Sequence, residues 1–182
     1  MRSDSVQTEV FGKEVSFPYA HQAVGYSLVL MRVAIGWILL AGGLDKLFSS
    51  SWSASGYLLH AIHPANPFVS VFASLAGSVL VDWLVIIGLT ATGLGLILGL
   101  FTRLCALFAA ILMFLFYLAA LQGGLLAFLP LEHGFVVNEH IVYVMLLFGI
   151  SSFGAGQVLG LDAWLRKTRF VVKRPWLMYV LG

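Results

Sequence analysis

Three consecutive polar side chains, Asn138-Glu139-His140, open an otherwise apolar run and form the most chemically suggestive stretch of this sequence. An imidazole titrates near neutral pH, so a carboxyl and an imidazole side by side could pass protons or hold a ligand. Asn138 could equally serve as the cap of a helix that starts there. A second pair, Asp45-Lys46, closes the first apolar run, where it reads as an ordinary helix-end boundary pair. Asp82 stands beside Trp83 at the start of another run, where a carboxylate suits the positive end of a helix dipole. Arg32 lies inside the first apolar run, and charges embedded in such runs are costly and face a bundle interior or a cavity by default. It can snorkel to the headgroups, or it can act inside as an ion pair, an anion ligand or a donor to a quinone oxygen.

The histidines and the cysteine invite other chemistry, with little support. His60 and His63 are spaced i, i+3, but Pro64 follows directly and no carboxylate lies nearby in sequence. A transmembrane haem needs histidines facing each other from two helices, and only His140 falls within an expected span. Neither haem nor metal is therefore expected. Cys105 is the single cysteine, which excludes an internal disulfide and any Cys-x-x-Cys pair. Bedded among Leu and Phe, it reads as an inert thiol.

What positions these residues is a chain of 182 residues that is 60% hydrophobic and only 10% charged, with mean hydropathy +0.98. Soluble domains carry about 25% charged residues, so this is the composition of an integral membrane protein with no separate soluble domain. The net charge of +2 gives no case for nucleic acid, because the basic residues cluster at the tail, as suits a membrane surface. Between Asp82 and Gln122 only Arg103 is charged. As one helix, Trp83 to Leu121 would run roughly 57 Å at about 1.5 Å per residue. That exceeds a hydrocarbon core of about 30 Å, and Gly99-Leu100-Phe101-Thr102-Arg103 breaks it into two spans.

The expected fold is an all-α membrane protein, a four-helix bundle with helices at about 23–48, 80–100, 103–122 and 137–153. Residues 1–22 are a polar segment, either a flexible tail or one ordered against a partner. The first apolar run reads as a retained helix rather than a cleaved signal. The connection 49–79 holds two apolar pieces too short to span, read as interfacial helices forming a lid. Residues 123–137 form a polar link with Pro130, Glu132 and His133. The bundle domain covers 23–165, and 166–182 is a basic interfacial tail with Trp176 and Tyr179, preceded by Trp164. Arg2 and Lys13, Arg103, and the tail cations Arg166, Lys167, Arg169, Lys173 and Arg174 share one side, while the lid and the 123–137 link have no Lys or Arg. By the positive-inside rule both termini are cytoplasmic in a multi-pass protein of the plasma membrane.

The ordered set Arg32-Val-Ala-Ile-Gly36, Gly43-x-Asp45-Lys46, Gly93-Leu-Gly-Leu-Ile-Leu-Gly99-Leu-Phe-Thr-Arg103, Asn138-Glu-His140 and Gly154-Ala-Gly156 before Leu161-Asp162 resembles the DoxX/DoxD family over about residues 25–165. The long outer connection favours the DoxD side. That resemblance implies the membrane subunit of a thiosulfate:quinone oxidoreductase, passing electrons from thiosulfate to a membrane quinone. It also implies a small DoxA-like subunit, terminal oxidase subunits, or a second copy of the chain as partners within the lipid bilayer. Thiosulfate is a dianion that needs a cationic donor such as Lys46, and quinone reduction needs a proton donor such as Glu139 or His140. Lys46, Glu139 and His140 are thus the catalytic candidates, and Arg32, Asp45, Asp82, Trp83 and Arg103 the substrate- or quinone-binding ones. The competing reading is an accessory subunit of a larger membrane complex without chemistry of its own.

Overall fold

The computed structural model describes residues 3–10, 12–121 and 137–182. The long helices form where apolar runs are long, and Gly99 and Gly154, both at positive φ, mark where two of them stop. Helix α1 is His21–Phe48, and two short helices follow, α2 at Ser55–His60 and α3 at Val69–Ser74. Next come α4 at Val79–Leu98, α5 at Thr102–Ala119 and α6 at Glu139–Ser152. A 3-10 turn at Ala155–Gln157 then leads to α7 at Leu161–Leu165 and α8 at Arg169–Val172, with a last 3-10 turn at Pro175–Tyr179.

Three of these helices, α1 (from Gln22), α4 and α5, are long and apolar enough to cross a bilayer. In each, 33% of the most apolar window is buried within the chain. Helix α6 was expected as a fourth span. It packs on α5 and α1 as the fourth rod of the bundle, but its 14 residues reach only about 21 Å, less than the roughly 30 Å hydrocarbon core. The mixed-charge N-terminal segment departs from an all-helical reading. Ser3–Val10 and Lys13–Ala20 pair as an antiparallel hairpin, β1 and β2, in the register Val10↔Lys13 to Ser3↔Ala20. Its loose polar–apolar alternation is the period-two pattern of a strand.

Helices α1 and α4 run antiparallel at backbone contact. A Cβ on Gly93 would collide with Leu40 N and lie 2.7 Å from Gly36 O, while one on Gly43 would collide with the side chain of Thr90. Small residues of this kind let membrane helices approach closely. Gly42, also expected to do so, has nothing within 4 Å of its Cβ position. Ile35, Leu39, Leu96, Ala109, Leu147 and Ile150 fill the bundle core, each almost wholly buried.

The break between α4 and α5 falls where the sequence places it. Gly99 adopts φ +64 and ends α4, with Leu100 N–H donating to Gly95 O at 2.8 Å; this left-handed cap is one that glycine adopts without a steric penalty. The expected end of the third span at 122, the polar link 123–136, Pro130, Glu132 and His133 lie outside the described residues.

Candidate functional site

Antiparallel packing gives the bundle two polar ends. The C-termini of α1 and α5 and the N-termini of α4 and α6 meet the connection 49–78 at what we call the lid end. The α4–α5 turn, the start of α5, the end of α6 and residues 153–182 meet at the tail end.

Arg32 organises the tail end and is only 1% exposed. Its Nη1 donates to Ala155 O at 2.7 Å and Val158 O at 3.3 Å, and its Nη2 donates to Leu159 O at 3.3 Å. The guanidinium thus closes carbonyls left over where α6 gives way to turns, a demand that every helix end makes. The snorkelling alternative therefore does not describe it. Gly99 and Gly160 pack against the guanidinium, where a Cβ would lie 2.5 and 2.7 Å from Nη1. Arg103, in the first turn of α5, donates from Nε to Ser151 O at 3.3 Å.

Sequence reading did not nominate Asp162, although it is 0% exposed. Its Oδ1 accepts Phe101 N–H at 2.7 Å, and its Oδ2 accepts Thr102 N–H and Gly182 N–H at 2.9 Å each. Phe101 is the N-cap of α5 and offers no side-chain cap of its own. A carboxylate is the best partner for the orphan N–H groups and the positive dipole at that end. Its charge also acts coulombically on Arg32. Any side chain at Gly156 would collide with Asp162 Oδ2 and Thr102 Oγ1. One signal was available: Asp162 is the last acidic residue of the sequence, standing alone after a glycine-rich apolar stretch.

At the lid end, Asp82 sits in the first turn of α4 and accepts Ala54 N–H at 2.8 Å, tying the connection down. Asn66, 2% exposed, is the second tie. Its Nδ2 reaches Leu118 O, Ala119 O and Leu121 O at 2.9, 3.2 and 2.8 Å, and its Oδ1 accepts Phe68 N–H at 2.7 Å. Asn66 therefore caps the carbonyl end of α5, and Ile62 and Phe72 pack beside it on Ala119. Sequence reading missed Asn66 too; its only signal was an amide between two prolines.

Lys46 is half-buried, with Nζ donating to Gly42 O at 3.2 Å and lying 5.5 Å from the Trp52 ring centre. Asp45 and Glu139 are exposed, and Trp83 is half exposed. Asn138 caps α6 by accepting Ile141 N–H at 3.1 Å. His140 packs edge-on to Phe116 with a ring distance of 6.1 Å, and its buried Nδ1 has no hydrogen-bond partner. Tyr57, His60 and His63 line an open cleft of about 360 Å³ against Ala119 and Ala120. His63 Nδ1 accepts Ala65 N–H at 3.1 Å, so the neutral ring presents Nε2–H as a donor. Cys105 is a partly buried free thiol on α5.

The expected site residues therefore divide. Arg32 and Arg103 belong to the tail end, where they serve backbone carbonyls. Lys46, Asp45, Asp82, Trp83, Glu139 and His140 belong to the lid end. Lys46 lies fourteen residues along α1 from Arg32, about 21 Å at the helical rise, so the two groups do not share one cavity.

A bundle of apolar helices, three of them among the described residues long and apolar enough to cross a bilayer, with Arg32 and Asp162 buried against backbone groups, defines a helical integral membrane protein. The DoxX family model matches residues 27–122, just over half of the sequence. The chain belongs to the DoxX family. The matched region contains Arg32, Lys46, Asp82 and Arg103 and stops before Glu139, His140 and Asp162. No curated protein and no solved structure matches the chain.

Proposed function

We propose that this chain is the membrane subunit of a quinone-linked, thiosulfate-oxidising complex, and that its chemistry takes place at the lid end. The observation that carries this reading is the difference in how the charges are used. Arg32 and Asp162 are buried, and each is held by three backbone groups of distant segments. Lys46, by contrast, gives one of its three donors to its own helix. The cleft beside the lid adds His60, His63 and Tyr57, and His140 adds a ring nitrogen without a partner. A cation, imidazole donors and a proton-transfer pair at Glu139-His140 are what a sulfur oxyanion and a quinone oxygen require. Quinone is the electron acceptor in this reading, and Asp45, Asp82 and Trp83 are positioning groups around the site.

In this proposal α6 completes a fourth crossing together with residues beyond its helical turns. Both termini are cytoplasmic in the plasma membrane, and a small DoxA-like subunit or terminal oxidase subunits complete the complex. The test is thiosulfate-dependent reduction of a short-chain quinone by mildly solubilised protein with its co-purifying partners. Lys46→Ala and Glu139→Gln are each expected to lower turnover at least tenfold while the complex stays intact. Unchanged turnover in both would overturn the site.

A second reading, an accessory subunit without chemistry, is favoured by the burial of Arg32 and the use of its two Nη groups on three backbone carbonyls. It predicts no quinone reduction in any preparation and loss of a partner complex when the chain is deleted.

A further inference from the structure

The last twenty residues of the sequence, 163–182, contain five cations and no acid. They do not trail away from the bundle. Asp162 N–H donates to Gly99 O at 2.8 Å, Leu104 N–H donates to Val180 O at 3.4 Å, and Gly182 N–H donates to Asp162, so the segment is pinned across the α4–α5 turn. Val171, Leu177 and Leu181 form a small core of their own beneath it. With those apolar groups turned inward, the segment still exposes Trp164 at 66%, Trp176 at 60% and Tyr179 at 79%.

Two physical facts fix what such a surface meets. It sits where two spans of 20 and 18 residues end, at the boundary between hydrocarbon and water. Tryptophan and tyrosine settle at that depth because their rings are apolar and their N–H or O–H groups are not. Lys167, Arg169 and Lys173 are exposed on the same segment, and Asp162, the acid that precedes it in sequence, is fully buried and held by three N–H groups. Its charge is directed at the bundle.

We propose that residues 163–182 form a binding collar for the headgroups of anionic phospholipids, with the aromatic rings entering the acyl boundary and Lys167, Arg169 and Lys173 holding lipid phosphates. The collar is a selective site for acidic lipid around the tail end, independent of any chemistry at the lid end. Selectivity is expected to fall about fivefold per cation removed at low ionic strength, because each is worth ~1 kcal/mol near an anionic surface, and to weaken with salt.

The experiment reconstitutes the full chain in vesicles containing either brominated phosphatidylglycerol or brominated phosphatidylcholine, each as a minor lipid in an unbrominated background. Tryptophan quenching is compared between the protein and a Trp164→Phe/Trp176→Phe variant, and the difference isolates the two tail reporters. The expected result is stronger quenching by the anionic lipid, abolished by Lys167→Gln/Arg169→Gln/Lys173→Gln and retained when the same positions exchange Lys for Arg. Equal quenching by both lipids overturns selectivity. Absence of quenching by either lipid overturns the collar, and shows the segment covered by protein or facing water. If the Gln variant fails to fold, the salt dependence of quenching in the unaltered protein decides: a preference that does not change between low and high salt overturns the proposal.

Discussion

Helix α5 is capped at both ends by side chains from distant parts of the chain, and the two caps differ in charge. At its start Asp162 accepts the Phe101 and Thr102 N–H groups from sixty-odd residues away. At its finish Asn66 donates to the carbonyls of Leu118, Ala119 and Leu121. A carboxylate suits the positive end of a helix and a neutral amide suffices at the negative end. The choice has consequences beyond the helix. The buried carboxylate at the tail end is balanced by a buried guanidinium, and both then serve backbone. The neutral cap at the lid end needs no counter-charge, so the cations and imidazoles there are not drawn into the cap. One end is a lock, and the other has room for chemistry.

The strongest way to break this contrast is Asp162→Ala. It strands three N–H groups and leaves Arg32 without its compensating charge, so a loss of about 3–5 kcal/mol is expected, read as a lowered melting temperature in detergent. An Asp162→Ala protein as stable as the parent would remove the lock from the tail end. Asn66→Ala tests the neutral cap. About 2–3 kcal/mol is expected from the freed carbonyls. Hydrogen exchange should rise in residues 55–74 and in the last turn of α5 while the tail end stays protected.

Gly93→Ala probes what holds α1 and α4 in register between the two ends. The added methyl meets backbone rather than a movable side chain, and a cost of about 1–3 kcal/mol follows. Gly42→Ala, with open space around it, should be neutral or slightly stabilising in the same melt, and equal losses in the two variants would refute the contact. A small effect on stability is also expected for Lys46→Ala. Its ring contact and its bond to its own helix are worth less than about 1 kcal/mol, so a larger loss would make Lys46 a structural residue and remove it from the candidate site.

Much of the helical framework was legible because it is local. Long apolar runs separated by Gly99 fix α4 and α5, and Asn138 ahead of an apolar run fixes the start of α6. The lid was legible as two apolar pieces too short to span. The N-terminal hairpin was harder, because its alternation is broken by mixed charges and its pairing depends on one tight turn. Helix α6 was expected longer than it is, since hydropathy continues through Phe153 while the backbone turns at Gly154.

The sequence by itself determined that the chain is a membrane protein, where three long apolar helices lie and which residues carry charge. These follow from hydropathy over about twenty residues and from the φ that each residue tolerates, both of which act along a short stretch of chain. Only the tertiary structure decided what the charges are for. Arg32 finds its carbonyls more than 120 residues away, Asp162 reaches the start of a helix 60 residues earlier, and Asn66 reaches the end of the same helix from the other side. Periodicity carries no information about such pairings. They are set when helices pack and each buried donor or acceptor must find a partner.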